Sequence, residues 1–203
     1  MYNRMLYKNS AGRKFYDIIR SSAINGICPL CSIRTVASVD HYLPKSLYPV
    51  LAITPMNLIP SCNNCNEDKD KAYPQTQYDQ SLHPYFDNIN NENWIKASVQ
   101  KTNPISLVFY SDPPKSWNNI LKKRATHHFK LYKLHEVFSS HAITHLIGHL
   151  ALFRQLDSSI LKSTLWDFHV SNKVGLGVNS YQSILYYTLF NDDWFCNTGV
   201  YLV

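Results

Sequence analysis

Four of the five cysteines form two Cys-x-x-Cys pairs, Cys28/Cys31 and Cys62/Cys65, while Cys196 stands alone. In a reducing compartment such pairs are typical of zinc ligands rather than of disulfides. Two thiolates three residues apart on a tight knuckle reach one ion at about 2.3 Å, and two knuckles complete a tetrahedron. The spacing therefore predicts a closed structural zinc site, whereas Cys196 is expected to be a small buried side chain.

A second set of polar residues lies between the cysteine pairs and just after them: Asp40, His41, Asn57, Asn66 and Lys69. A carboxylate and an amide oxygen are hard ligands that suit magnesium or manganese. His41 has a reference pKa of about 6.5, so its ring is mostly neutral at pH 7, as a general base must be. These residues could instead have purely structural roles. Asp40 and His41 would then be an ordinary strand-end pair, and Asn57 and Asn66 would be loop or helix-cap residues.

Short elements must position these side chains. Apolar and β-branched residues over 33–43 predict a strand that enters Asp40-His41. Four prolines over 44–60 predict loops and short extended pieces, and the polar, proline-free run 66–72 predicts a short helix. From the first cysteine pair to just past the second, the expected order is thus strand, loop, strand, helix.

The rest of the chain predicts an α+β protein that is mainly helical towards its C-terminus. Residues 94–100 and 105–110 are expected to form two strands, and Asp112-Pro113 is expected to start a helix. Helical periodicity continues to about 139 and again over 141–156, and 181–190 forms a helix or strand. The predicted organisation is a basic helix in 1–26, a site-bearing element in 27–93 and a mainly helical region in 94–203.

Composition narrows the class of protein. The chain has 203 residues, is 45% hydrophobic and carries a net charge of +6 with a pI near 9.0. A chain of this kind buries a core, so wholesale disorder is excluded, and the positive balance favours a polyanionic partner. No apolar stretch reaches the roughly 20 residues of a membrane span, and the location expected is the cytoplasm. Arg13, Lys14 and Arg20 form either a solvated helix face or a phosphate contact. With Arg4 and Lys8 they make residues 1–26 basic.

The segment from Cys28 to Lys69 resembles the HNH endonuclease family, the zinc-stapled ββα-metal (His-Me finger) nucleases. The matching runs are VDHYLPKS at 39–46, NLIPSC at 57–62 and CNEDK at 65–69. The resemblance implies that Asp40 is a metal ligand, that His41 is the general base and that Asn57 braces the loop. It also makes Asn66 the second metal ligand, at a position where the family often has histidine.

Two flanking runs, LPKSLYP at 43–49 and LHPYFD at 82–87, resemble HNH proteins encoded with ATPases in bacterial anti-phage systems of the Septu and retron-associated kind. This resemblance implies an anti-phage effector with an operon-encoded ATPase as a partner. Residues 94–203 resemble no family. We expect them to serve as a scaffold, or as a docking region for that ATPase or for a second copy in a homodimer.

Together these observations predict a metal-dependent endonuclease that hydrolyses DNA, with structural zinc and catalytic magnesium or manganese. Two alternatives stay open: a zinc-knuckle module that binds nucleic acid or protein without cutting, and an RNA-cleaving enzyme with the same site. Lys45 and Lys69 are either phosphate contacts or solvated charges. His83 either helps to bind the scissile phosphate or is an ordinary loop histidine.

Three further histidines, His141, His145 and His149, recur at i, i+4 and i+8 on one helix face. Histidines four residues apart can hold zinc, but no carboxylate lies between these residues to act as a base. We therefore expect a polar or interfacial helix face rather than a second metal site.

Overall fold

The computed structural model describes residues 11–70 and 73–202. The chain divides into two units, Met1–Asn88 and Ile89–Val203. Within the described residues there are seven α-helices and two antiparallel two-stranded sheets, which confirms the predicted α+β class. None of the helices in this part of the chain is both long enough and apolar enough to cross a bilayer.

The first unit contains the order strand, loop, strand and helix. Its elements are α1 (Ala11–Ser21), β1 (Ser38–His41), β2 (Leu58–Ser61) and α2 (Asn63–Asp70). Strand β1 pairs antiparallel with β2, so that Ser38 lies opposite Ser61 and His41 opposite Leu58. The loop between the strands contains two short 3-10 turns, Pro49–Leu51 and Pro55–Asn57.

Helix α1 ends earlier than the sequence suggests. The hydroxyls of Ser21 and Ser22 donate to the carbonyls of Ile18 and Ile19, at 3.1 and 2.7 Å. Serine side chains of this kind compete with the helical hydrogen bonds of the backbone. Of the basic residues of 1–26, Arg4 and Lys8 lie outside the described residues.

Strand β1 is shorter than the predicted strand over 33–43. The first residues of the predicted strand, 33–36, pair with the first cysteine knuckle instead. The backbone N–H of Cys28 donates to Arg34 at 2.8 Å, and that of Val36 donates to Gly26 at 2.8 Å. Ser32 turns the knuckle with a φ of 56°. Regular pairing with β2 begins only at Ser38.

The second unit is a hairpin covered by helices. Strand β3 (Ile95–Gln100) pairs with β4 (Ser106–Ser111), and five helices follow. These are α3 (Asn119–Leu131), α4 (Leu134–Phe153), α5 (Ser158–Leu176), α6 (Tyr181–Phe190) and α7 (Asp193–Asn197). Large fully buried side chains from the hairpin and the helices fill the core; Phe109 of β4 meets Phe138 of α4 edge to face, with ring centres 5.6 Å apart.

One sequence expectation for this unit was wrong, and one helix was not predicted. Asp112 does not start a helix, because its carboxylate pairs across the hairpin with Lys96 and its backbone N–H donates to Trp94 at 2.8 Å. Helix α3 starts instead after Asn118, whose side chain accepts from the N–H of Leu121 at 2.9 Å. Helix α5 was not predicted, although Asp157 caps it through Oδ1.

Candidate functional site

The four cysteines of the two knuckles come together at one point. All four side chains are buried, and their sulfur atoms lie within 4.8 Å of one another. None forms a disulfide. The knuckle at the start of α2 is closed by the N–H of Cys65, which donates to the sulfur of Cys62 at 3.4 Å. The cluster is therefore positioned to bind one metal ion, as predicted.

The four thiols of the cluster affect one another's pKa. Hydrogen bonds with Cys31, Cys62 and Cys65 hold the pKa of the Cys28 thiol below its usual range. Hydrogen bonds with Cys28, Cys31 and Cys62 raise the pKa of Cys65. Four buried thiols that share protons become four thiolates only when a metal ion compensates their charge, and a set of four sulfur ligands suits structural zinc.

Strand β1 presents two different faces, because successive side chains of a strand point in opposite directions. Val39 and His41 are buried, while Ser38 and Asp40 are half-buried. Helix α2 contacts the second of these faces at two points, through Asn66 at Ser38 and through Lys69 at Asp40. One face of the strand end thus carries the carboxylate, and the other carries the imidazole.

Both carboxylate oxygens of Asp40 have partners. Oδ1 accepts a hydrogen bond from the backbone N–H of His41 at 2.7 Å. Oδ2 lies 2.7 Å from the Nζ of Lys69, which also donates to the carbonyl of His41. Lys69 is buried, so it is not the solvated charge that one reading of the sequence allowed.

The imidazole of His41 is oriented by the main chain. Its Nε2 lies 3.0 Å from the carbonyl oxygen of Ala52, in the loop between the two strands. Because a carbonyl only accepts, Nε2 carries the proton, and Nδ1 is the basic nitrogen of the neutral ring. Burial lowers the pKa of His41. The role of Ala52 was missed, and no side-chain signal could have revealed it.

Asn57 is buried and holds the loop to the end of β1. Its Oδ1 accepts from the N–H of Leu43 at 2.7 Å, and its Nδ2 donates to the carbonyls of Leu43 and Leu51 at 3.0 and 3.2 Å. Its own carbonyl accepts from the N–H of Tyr42 at 2.8 Å. These bonds fix the path of the chain on both sides of Ala52, so Asn57 is a positioning residue for His41.

Asn66 lies in the first half of α2, next to the carboxylate-bearing face of β1. Its Nδ2 donates to the hydroxyl of Ser38 at 3.3 Å, so the amide oxygen is the atom that can serve as a metal ligand. Ser38 and Asp40 share one strand face. A carboxylate and an amide oxygen on this side fit a hard divalent cation in donor chemistry. The ammonium of Lys69 already pairs with this carboxylate.

His83 lies in a buried loop that packs beside these residues. Its Nε2 is 3.0 Å from the carbonyl of Met56, and its Nδ1 accepts from the N–H of Tyr85 at 3.2 Å. Its ring also lies 4.3 Å from that of Tyr42, measured between centroids. The ring thus connects the loop at 83–85 to the end of the inter-strand loop, and a phosphate contact from it stays a prediction.

Two further basic residues of this unit are partly or fully exposed, Lys45 and Arg13. Lys45 is exposed in the loop after β1, and its charge acts on His41 by lowering the pKa of that ring. On α1, Arg13 is tied to Asp17 by a salt bridge of 3.0 Å. A phosphate contact from Lys45 remains a prediction.

The histidines of α4 pack among aromatic rings. The ring of His149 is nearly parallel to that of Phe153 at 5.8 Å, and His145 lies 5.8 Å from Tyr186. His141 is exposed. Among the described residues, the four cysteines are the only group of three or more histidine, cysteine or acidic side chains that converges at metal-binding distance.

Two curated proteins are similar to this chain. It is 31% identical over 183 residues to protein ea31 of Escherichia phage lambda, an alignment that covers 80% of this chain and 62% of that protein. It is 33% identical over 63 residues to Septu protein PtuB of Bacillus thuringiensis, which covers 29% of this chain and 24% of that protein. The chain thus spans less than two thirds of the length of either relative. No protein-family model matches the chain, and no solved structure matches it significantly.

Proposed function

We propose that this chain is a metal-dependent HNH endonuclease that hydrolyses DNA phosphodiester bonds. The observation that supports the proposal best is the bond between Nε2 of His41 and the carbonyl of Ala52. It makes Nδ1 the basic nitrogen of a buried, oriented ring at the end of a two-stranded element. Asp40 precedes this histidine and lies on the opposite face of the strand. The strand end therefore offers a carboxylate as well as a basic nitrogen.

The chemistry follows from these residues. His41 takes a proton from water at Nδ1, and the water oxygen bonds to the phosphorus in line with the leaving group. The bond between the phosphorus and the 3′-oxygen breaks, and the leaving 3′-oxygen takes a proton from solvent. The bond to Ala52 keeps the ring in the tautomer that can accept this proton. The family resemblance implies a 5′-phosphate and a 3′-hydroxyl as product ends.

Asp40 and Asn66 are the residues that would hold a magnesium or manganese ion. That ion supplies positive charge against the negative charge that develops on the phosphate. The four cysteines would hold zinc in a purely structural role, because four thiolates leave no position for water. Lys45, exposed beside His41, is a candidate contact for the substrate backbone.

A plasmid incubated with the purified chain and magnesium or manganese tests the proposal. Wild-type protein should convert supercoiled plasmid into nicked or linear DNA, and His41→Ala should lower the rate by about 10²- to 10⁴-fold. His135→Ala is the matched control, because His135 is an exposed histidine of the other unit. All three proteins are purified identically, so that a contaminating nuclease would affect them equally.

The outcomes separate the alternatives. Cleavage of structured RNA but not of plasmid would make the enzyme a ribonuclease with the same site. Binding of nucleic acid without cleavage of either would support the zinc-knuckle binding module. Cleavage by His41→Ala at the wild-type rate would contradict the mechanism.

A role in anti-phage defence is supported by the similarity to a Septu protein, and we propose it as the biological setting. Protein ea31 of phage lambda is also similar to this chain. Plaque counts on cells that express the chain with and without a neighbouring ATPase gene test the role. The His41→Ala chain is the control, and full protection of the cells by this variant would rule out nuclease-based defence.

The mass of the purified chain in solution, measured alone and with the ATPase, tests the proposed homodimer and the proposed partner.

A further inference from the structure

The positive charge of the chain is concentrated in one segment. Residues 113–135 contain six lysines and arginines and no acidic residue; the six are Lys115, Lys122, Lys123, Arg124, Lys130 and Lys133. The whole chain carries a net charge of +6, so the remaining residues have 14 basic and 14 acidic side chains. A positive charge as large as the net charge of the whole chain thus lies on and around helix α3.

Helix α3 is amphipathic, and its buried face is anchored to the hairpin. Ala125 and Phe129 are buried, and Tyr132 follows on the same side. The ring of Phe129 meets that of Trp94 edge-on at 6.4 Å. The hydroxyl of Thr126 lies 3.2 Å from that of Ser111 on β4. These contacts fix which side of the helix turns away from the core.

The outward side carries basic residues. Lys123, His127 and Lys130 recur at i, i+4 and i+7, which places them on one face of the helix, opposite Ala125 and Phe129. Lys123 and Lys130 are exposed and His127 is half-buried. At about 1.5 Å of rise per residue, this face extends about 10 Å along the helix from Lys123 to Lys130.

We propose that this face of α3, together with the flanking Lys122 and Arg124, binds the phosphate backbone of double-stranded DNA. The inference rests on the proposed nuclease function, to which it adds a substrate-binding surface in the other unit. Lysine is depleted at protein–protein interfaces, whereas protein–DNA interfaces are strongly positive. The surface is accordingly better suited to a polyanion of regular charge than to an acidic protein.

Charge balance favours a partner over a merely solvated face. Solvated protein surfaces usually mix charges of both signs, whereas residues 113–135 carry positive charges alone. Contacts with the phosphate backbone carry no sequence information, so they increase affinity without selecting a target.

The test compares two double variants with equal loss of charge. Lys123→Gln/Lys130→Gln removes the outward face of α3, and Lys162→Gln/Lys173→Gln removes two lysines of α5. Binding of a fluorescent mixed-sequence DNA duplex is measured without magnesium or manganese, between about 50 and 200 mM salt. We expect the α3 variant to bind several-fold more weakly and its log–log salt slope to fall by about 1.8, since each contact with B-DNA contributes about 0.9. The α5 variant should behave like wild type.

Cleavage and binding are measured separately, so that the two proposals fail in different ways. If wild type binds the duplex and both variants match it, the α3 surface is wrong while the nuclease proposal stands. If wild type neither binds nor cuts DNA, both proposals fail. Parallel arms use duplex RNA and polyglutamate; α3-dependent binding of either one in place of DNA would overturn the assignment to DNA. Cleavage by the α3 variant should show a raised KM and an unchanged kcat.

Discussion

The Nζ of Lys69 lies 2.7 Å from Oδ2 of Asp40, and both side chains are about nine-tenths buried. The pair joins helix α2 to the end of strand β1, at the residue that precedes His41. The ammonium therefore occupies one side of the carboxylate that we propose as a metal ligand. A divalent ion at Asp40 would have to share this carboxylate with Lys69 or displace it.

Substitution of Lys69 by methionine tests this relationship. The change leaves a buried carboxylate without its cation, so we expect Lys69→Met to lower the free energy of unfolding by roughly 3 kcal/mol. Manganese should raise the melting temperature more in this variant than in wild type, because the carboxylate no longer has a competing cation. Asp40→Asn/Lys69→Met is the control, and it should lose less stability than the two single variants summed and gain nothing from manganese. Equal manganese shifts in all three proteins would contradict a metal site at Asp40.

The cysteine cluster predicts about one zinc per chain by metal analysis. Cys28→Ser or Cys62→Ser should release the metal and unfold residues 27–70, because the binding energy of structural zinc is part of the folding free energy. Cys196→Ala is the matched control, since Cys196 is a buried thiol in the other unit and donates only to the carbonyl of Leu189. A Cys62→Ser chain that keeps both its zinc and its melting temperature would disprove the four-thiolate site.

Asn57→Ala should lower activity although it removes no catalytic group. The substitution removes hydrogen-bond partners from the backbone groups of Leu43 and Leu51, which are half-buried, and this should cost about 1 kcal/mol of stability. The loop that orients His41 should loosen, so kcat should fall while zinc content is unchanged. Asn64→Ala, an exposed asparagine of α2, serves as the control. An unchanged kcat in Asn57→Ala would show that the loop holds its shape without this amide.

The helical unit should be sensitive to acid through His145. Burial lowers the pKa of this ring, and the neighbouring His149 lowers it further. Tyr181 and Tyr186 also face it from α6. The unfolded chain therefore binds a proton at a higher pH than the folded chain does, so stability should fall as the pH drops below about 6.5. Urea unfolding at pH 7.5 and 5.5 should show a smaller loss for His145→Gln than for wild type; an equal loss would exclude His145 as the cause.

The parts of the site that are defined by residue type and spacing could be predicted from the sequence. The two Cys-x-x-Cys pairs required only that their knuckles meet, and the structure brings all four sulfur atoms together. The strand carrying Asp40 and His41 was foreseen because β-branched residues precede it. Its shorter length could not be read, because residues 33–36 pair back onto the first knuckle through contacts that no local pattern encodes.

The other errors have similar causes. Asp112 has the sequence signature of a helix cap, yet the hairpin uses its carboxylate for Lys96 and its backbone for Trp94. Helix α5 did have a readable signal. Asp157 at its start and buried Leu161, Leu165 and His169 at four-residue intervals are typical of a capped amphipathic helix. The sequence left Lys69 as either a phosphate contact or a solvated charge, because its partner Asp40 is distant in sequence.

The orientation of the imidazole by the carbonyl of Ala52 has a consequence for genetics. Every residue type has a backbone carbonyl, so a missense change at position 52 leaves the hydrogen-bond acceptor in place. Single-residue deletions or insertions in the loop would instead shift which carbonyl faces His41. A deep mutational scan should therefore tolerate many substitutions at position 52 and reject changes of loop length between positions 45 and 55.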